Sequence, residues 1–115
     1  MRVVPTGDII ASQFRTSTLP HIWCPGCSHG IVTRALAQAL EQADADKDRT
    51  VLVSGIGCSS RATGYLDYYT IHTTHGRALA VATGLKLARP ELRVVVISGD
   101  GDTGAIGTSH LVHAA

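Results

Sequence analysis

The chain holds three cysteines, and two of them frame the stretch His21-Ile22-Trp23-Cys24-Pro25-Gly26-Cys27. Thiolates ligate soft metals and attack disulfides, so a C-x-x-C pair admits several chemistries. A thioredoxin-like dithiol is one, because Trp-Cys-x-x-Cys opening a helix has that look; such a site follows a buried strand, and Phe14 to Ile22 does not read as one. Structural zinc is a second. It takes four ligands, and Cys24, Cys27 and Cys58 would need His21 or His29 to complete the set. An iron–sulfur cluster is a third and normally takes four cysteines. Inert thiols are the fourth. The setting of Cys58 favours the cluster: Ser54-Gly55-Ile56-Gly57-Cys58-Ser59-Ser60 is a glycine-rich loop following a short strand, Val51-Leu52-Val53.

A second chemistry-bearing stretch is Val94-Val95-Val96-Ile97-Ser98-Gly99-Asp100-Gly101-Asp102. Four β-branched residues in a row predict a strand buried on both faces, the pattern of a parallel sheet. In open α/β sheets, ligands bind outside the carboxyl ends of strands. Asp100 offers a hard oxygen suited to Mg²⁺, which often bridges phosphates, and the backbone around Gly101 can face a phosphate. The competing reading is a tight turn capped by an aspartate. If both glycine loops lie on one edge of the sheet, a soft-metal ligand stands beside a phosphate site, as electron transfer next to an organic cofactor requires.

The intervening elements must bring these loops together. Residues 1–20 show no period and read as an arm lying on something else. A helix is expected from near Ser28, with Ile31, Val32, Ala35, Leu36, Ala39 and Leu40 on one apolar face. Ala43 to Thr50 reads as a solvated loop, and Arg61 to Thr74 as irregular. A second helix is expected from Gly76 or Arg77 to Arg89, closed by Pro90; the small apolar run Ala78 to Ala82 predicts that it is buried. A short helix is expected after Asp102. The organisation predicted is an arm at 1–20 followed by residues 21–115, the N-terminal part of an incomplete α/β domain, a parallel sheet with flanking helices. His72/His75 and His110/His113 stand three apart without an acidic companion and make weak metal pairs. Arg77 suits either a phosphate or a carboxylate, and the tyrosines at 65, 68 and 69 suit packing or a subunit contact.

The length of 115 residues suits one domain. A net charge of +1 without a basic block argues against a nucleic-acid footprint. No apolar run is long enough for a bilayer, and Pro5, Gly7 and Asp8 interrupt any secretory pattern at the start. A cytoplasmic location is therefore expected. An odd number of cysteines in such a chain favours metal or redox chemistry over a disulfide framework.

Three motifs together resemble the β subunits of 2-oxoacid:ferredoxin oxidoreductases, nearest the 2-oxoglutarate type. They are Trp-Cys-Pro-Gly-Cys, Ser-Gly-Ile-Gly-Cys-Ser-Ser, and His-Gly-Arg-Ala-x-Ala-x-Ala-Thr-Gly-x-Lys-Leu-Ala followed by Gly-Asp-Gly-Asp. The resemblance implies a thiamine diphosphate-binding fold and oxidative decarboxylation of a 2-oxoacid to an acyl-CoA. Electrons would pass through a [4Fe–4S] cluster to ferredoxin, with an α subunit, the 2-oxoacid and coenzyme A as partners. It implies Cys24, Cys27 and Cys58 as cluster ligands and Asp100 as a Mg²⁺ ligand. Ile56, Gly57, Cys58, Ser59 and His75 would line thiamine diphosphate, and Gly101 and Asp102 would hold its diphosphate. It also implies that a fourth cysteine and a further Mg²⁺ ligand lie outside these residues. The chain departs from the family pattern at Ser28, where glycine is usual, and at Thr103-Gly104 and Thr108-Ser109.

Overall fold

Thr50 to Ser54 places three bulky aliphatic residues in succession, Val51, Leu52 and Val53, and forms the central strand β1 (Thr50–Ser54), buried at every position. The computed structural model describes residues 5–115. Two further strands flank β1, both parallel to it: β2 (Tyr69–His72) and β3 (Arg93–Ile97), in the order β2-β1-β3. Leu52 stands opposite Thr70 and Val95, and Ser54 opposite His72 and Ile97. The fold is an α/β parallel sheet with flanking helices, as the sequence predicts.

Alternation along β1 divides the core. Leu52 faces helices α1 (Thr6–Gln13) and α2 (Ser28–Gln42), packing with Ile9, Ala37, Leu40, Leu66 and Tyr68. Val51 and Val53 face α4 (Ala78–Ala88) and its Ala78 and Ala82. Between them in sequence lies the short α3 (Ala62–Tyr65), and α5 (Thr108–Ala114) packs against α4. A third cluster, Trp23, Ala62 and Tyr65, seats the Trp23 segment against α3. Among the described residues no helix is long and apolar enough to cross a membrane.

Five expectations are corrected. The stretch read as an arm carries α1, while residues 1–4 of it lie outside the described residues. Eight residues are too few to show a period; tertiary contacts fix this helix, through fully buried Ile9 and a polar knot. In that knot Gln13 donates to Glu41, Tyr68 donates to Gln13, and Ser12 donates to Glu41 at 2.9 Å. The stretch read as irregular contains β2, a four-residue edge strand whose side chains are mostly exposed, so no buried alternation marks it. β3 is half-buried rather than covered on both faces, because β1 is its only strand neighbour among the described residues.

The buried stripe of α2 is Thr33, Ala37 and Leu40, not the apolar set expected. Ile31 is 72% and Val32 59% exposed, because only the second half of α2 lies over the sheet core. In α4 one face alone is covered: Ala78 and Ala82 allow close approach to β1, while Leu87 is exposed. Small residues served that single contact rather than burial all round.

The central strand sets a clear stability test. Leu52→Ala should destabilise the protein by about 2–5 kcal/mol, through lost burial plus a cavity. Leu87→Ala should change stability by no more than about 0.5 kcal/mol. Urea unfolding of both variants checks the contrast.

Candidate functional site

Because all three strands are parallel, their carboxyl ends share one edge. The loops leaving that edge are Gly55–Ser60 after β1, Thr73–Arg77 after β2 and Ser98–Gly101 after β3. They contain Ile56, Gly57, Cys58, Ser59, His75, Asp100 and Gly101; Asp102 follows in the next turn, and Cys24 and Cys27 lie outside them. A π-helical turn, Gly101–Ile106, follows β3; such turns occur frequently at functional sites.

Asp102 joins the three loops. Its side chain is 1% exposed. One carboxylate oxygen accepts from the Gly76 N–H at 2.6 Å and from His75 Nδ1. The other accepts from Ser98 Oγ at 2.6 Å and the Ile56 N–H at 3.2 Å. Burial works against the carboxylate's charge, but the hydrogen bonds from Ser98, His75, Gly76 and Ile56 outweigh it and hold its pKa at about 2, below the ordinary 3.8. With both oxygens engaged inside the protein, Asp102 turns its carboxylate away from solvent.

The approach of Asp102 explains Gly55, and backbone conformation explains Gly76. A Cβ on Gly55 would stand 1.7 Å from Asp102 Oδ2, so no side chain fits there. Gly76 has φ +73°, a left-handed conformation that glycine adopts freely. Neither Gly55 nor Ser98 stood out in the sequence as part of the site. The only available signals were a glycine directly after a strand and a hydroxyl one helical turn before an acid.

The outward groups differ. Asp100 is exposed, and its carboxylate has no partner among the described residues. Ile56, Gly57 and Gly101 are exposed in the same set of loops, and Ser59 is half-buried. A Cβ on Gly57 or on Gly101 would meet nothing within 4 Å, so both glycines border open space. A free carboxylate next to open backbone at a parallel sheet's carboxyl edge fits a Mg²⁺-bound diphosphate. Arg77 reaches the carbonyls of Gly76 and Ile106, each at 3.5 Å.

His72 and His75 do not act as a pair. Ser54 Oγ lies 3.0 Å from His72 Nδ1, whereas His75 Nδ1 meets Asp102. Of the tyrosines, Tyr65 and Tyr68 are buried and Tyr69 is exposed.

The two cysteine-bearing loops adjoin. The Trp23 indole N–H donates to the Cys58 carbonyl at 2.7 Å, and Trp23 packs against Tyr65 with ring centroids 5.2 Å apart. All three cysteines are free, with Cys24 and Cys58 exposed. Among the described residues, no three His, Cys, Asp or Glu side chains gather into a group that could hold a metal ion. The three free thiols lie on adjoining segments without converging into one site, and a [4Fe–4S] cluster takes four. Phe14 to Ile22 contains a 3₁₀ turn, Thr16–Thr18, and no strand, so the dithiol reading lacks its supporting element.

Two outcomes follow from Asp102. Gly55→Ala should lower stability by more than about 2 kcal/mol, because the methyl group displaces a buried charge partner; a melting curve reads this. The folded pKa of Asp102 lies below its unfolded value, so ionised Asp102 contributes stability above pH 3.8 and loses it as pH falls to about 2. The stability difference between wild type and Asp102→Asn, measured by denaturant titration, should close over that same interval.

Comparison with known proteins bears on the whole edge. The C-terminal TPP-binding domain of thiamine pyrophosphate enzymes matches residues 55–115, which contain all three loops. The 2-oxoglutarate synthase subunit KorB of Archaeoglobus fulgidus is 59% identical over 104 residues, spanning 90% of this chain and 39% of that protein. The 2-oxoglutarate oxidoreductase subunit KorB of Mycobacterium tuberculosis is 48% identical over 92 residues, spanning 80% of this chain and 25% of that protein. The solved 2-oxoglutarate:ferredoxin oxidoreductase of Magnetococcus marinus, with 2-oxoglutarate, coenzyme A and succinyl-CoA bound, superposes with a TM-score of 0.84 at 42% identity. That match covers 98% of this chain and 37% of that one. The chain thus spans well under half the length of these relatives. With more than half of its residues matched by the domain and its sheet superposing on a solved member, the chain belongs to the thiamine pyrophosphate enzymes and is similar along most of its length to the KorB subunits of 2-oxoglutarate oxidoreductases.

Proposed function

We propose that this chain is the cofactor-binding part of the β subunit of a 2-oxoacid:ferredoxin oxidoreductase that converts 2-oxoglutarate and coenzyme A to an acyl-CoA. The observation that supports this most is the unpartnered carboxylate of Asp100 between open glycine loops. The 59% identity to a 2-oxoglutarate synthase subunit supports the substrate. The Magnetococcus protein, bound to 2-oxoglutarate, coenzyme A and succinyl-CoA, supports the product class.

Thiamine diphosphate supplies a nucleophilic carbon for the 2-oxo group and an electron sink for loss of CO₂. The chain's residues then have the following roles. Asp100 holds Mg²⁺, which neutralises the diphosphate. Gly101 lets backbone approach the phosphate oxygens, and Asp102 keeps that backbone in place. Ile56, Gly57, Cys58, Ser59 and His75 would line the cofactor. Cys24, Cys27 and Cys58 are offered as three thiolates of a [4Fe–4S] cluster, an electron exit towards ferredoxin. An α subunit completes the assembly. The cytoplasm is the compartment this reading expects.

The test is Asp100→Asn in the intact protein. The amide keeps the shape but lacks the charge a hard cation needs, so thiamine diphosphate affinity at fixed Mg²⁺ should fall about tenfold or more. Stability without cofactor should change by less than about 1 kcal/mol, since Asn is an equally good turn former. Unchanged affinity would remove Asp100 from the site and, with it, the main support for this function.

A further inference from the structure

His75 sits in the turn between β2 and α4 with a side chain 49% exposed, while the Asp102 carboxylate beneath it is buried. An ionised carboxylate accepts hydrogen bonds and cannot donate them, so the hydrogen between these groups lies on His75 Nδ1. In the neutral ring Nε2 then carries the lone pair. No described residue takes Nε2. The same carboxylate also accepts from the N–H of Gly76, directly after His75, and from the N–H of Ile56, in the loop after β1. One buried group therefore fixes the ring, the turn that carries it and the facing loop.

We propose that Asp102 is a positioning residue: it locks His75 in the Nδ1–H form, so that Nε2, and not Nδ1, meets the bound cofactor. This rests on the thiamine diphosphate reading of the site for the identity of the ligand. It gives Asp102 a role other than direct contact with the diphosphate, and it gives His75 a single, directed nitrogen. The geometry is that of a metal-free carboxylate–histidine couple, in which the partner of one ring nitrogen sets the chemistry of the other.

The experiment is nitrogen NMR of the intact protein with ¹⁵N-labelled histidine, the His75 signals being assigned by their loss in His75→Gln. Without cofactor, the expected result is the Nδ1–H tautomer in the wild type. Adding thiamine diphosphate with Mg²⁺ should then move Nε2 and leave Nδ1 nearly unchanged. In Asp102→Asn the Nε2–H form should become populated and cofactor affinity should fall about tenfold or more. If that variant does not fold, the wild-type measurement still decides, because it needs no substitution at Asp102. An Nε2–H tautomer in the free wild type, or a cofactor response at Nδ1 alone, overturns the proposal. A purely structural Asp102 would lower the melting temperature without any such cofactor response at Nε2. Failure of the wild-type protein to bind thiamine diphosphate, with His75 still in the Nδ1–H form, overturns the proposed function and the Nε2 contact while leaving the Asp102–His75 couple intact.

Discussion

A buried anion must be matched by donors, and in this chain one carboxylate draws them from three separate loops. Asp102 accepts from Ile56 after β1, from His75 and Gly76 after β2, and from Ser98 at the end of β3. Removing an ionised carboxylate from water is costly unless hydrogen bonds replace the solvent. Four donors do so, and the requirement works in reverse: each loop must hold the conformation that supplies its donor. The glycine at 55 follows from this demand, because a side chain there would displace the carboxylate.

Given that anchor, the outward groups sort by chemistry. Asp100 and Cys58 are exposed in the anchored loops themselves, and Cys24 is exposed on the adjoining segment, yet the carboxylate and the two thiols take no part in the anchoring. Trp23 links the two thiol-bearing segments through its indole N–H to the Cys58 carbonyl, leaving the sulfur itself free. Structural duty thus falls on backbone groups and buried side chains, while reactive atoms point away. That separation permits the outward residues to differ without loss of the scaffold.

What was legible in the sequence followed pattern strength. Strong, local signals succeeded: Val51 to Val53 and Val94 to Ile97 read as strands, Ser28 as a helix start and Pro90 as a limit beyond α4. Elements held by distant partners did not show. α1 depends on Ile9 inserting beside Leu52, and β2 depends on pairing with β1; neither dependence leaves a local trace. The covered face of α2 depends on where the sheet ends, which the helix's own hydrophobicity does not encode. At the site, residue types pointed to Asp100, Gly101 and Cys58 as outward candidates. The inward turn of Asp102 was hidden, since its partners are spread over the three loops and two of them are backbone N–H groups.

The shared carboxylate also has a genetic consequence. Gly55, His75, Gly76 and Ser98 never form one contiguous motif, but each borders the same pair of oxygens. The effect of changing one of them depends on what occupies the others, because residues in one hydrogen-bond network are energetically coupled. These positions behave as a single inherited unit scattered along the chain. A substitution harmless in one background can be ruinous in another, so a loop moved into another protein needs the matching donors to be present there already.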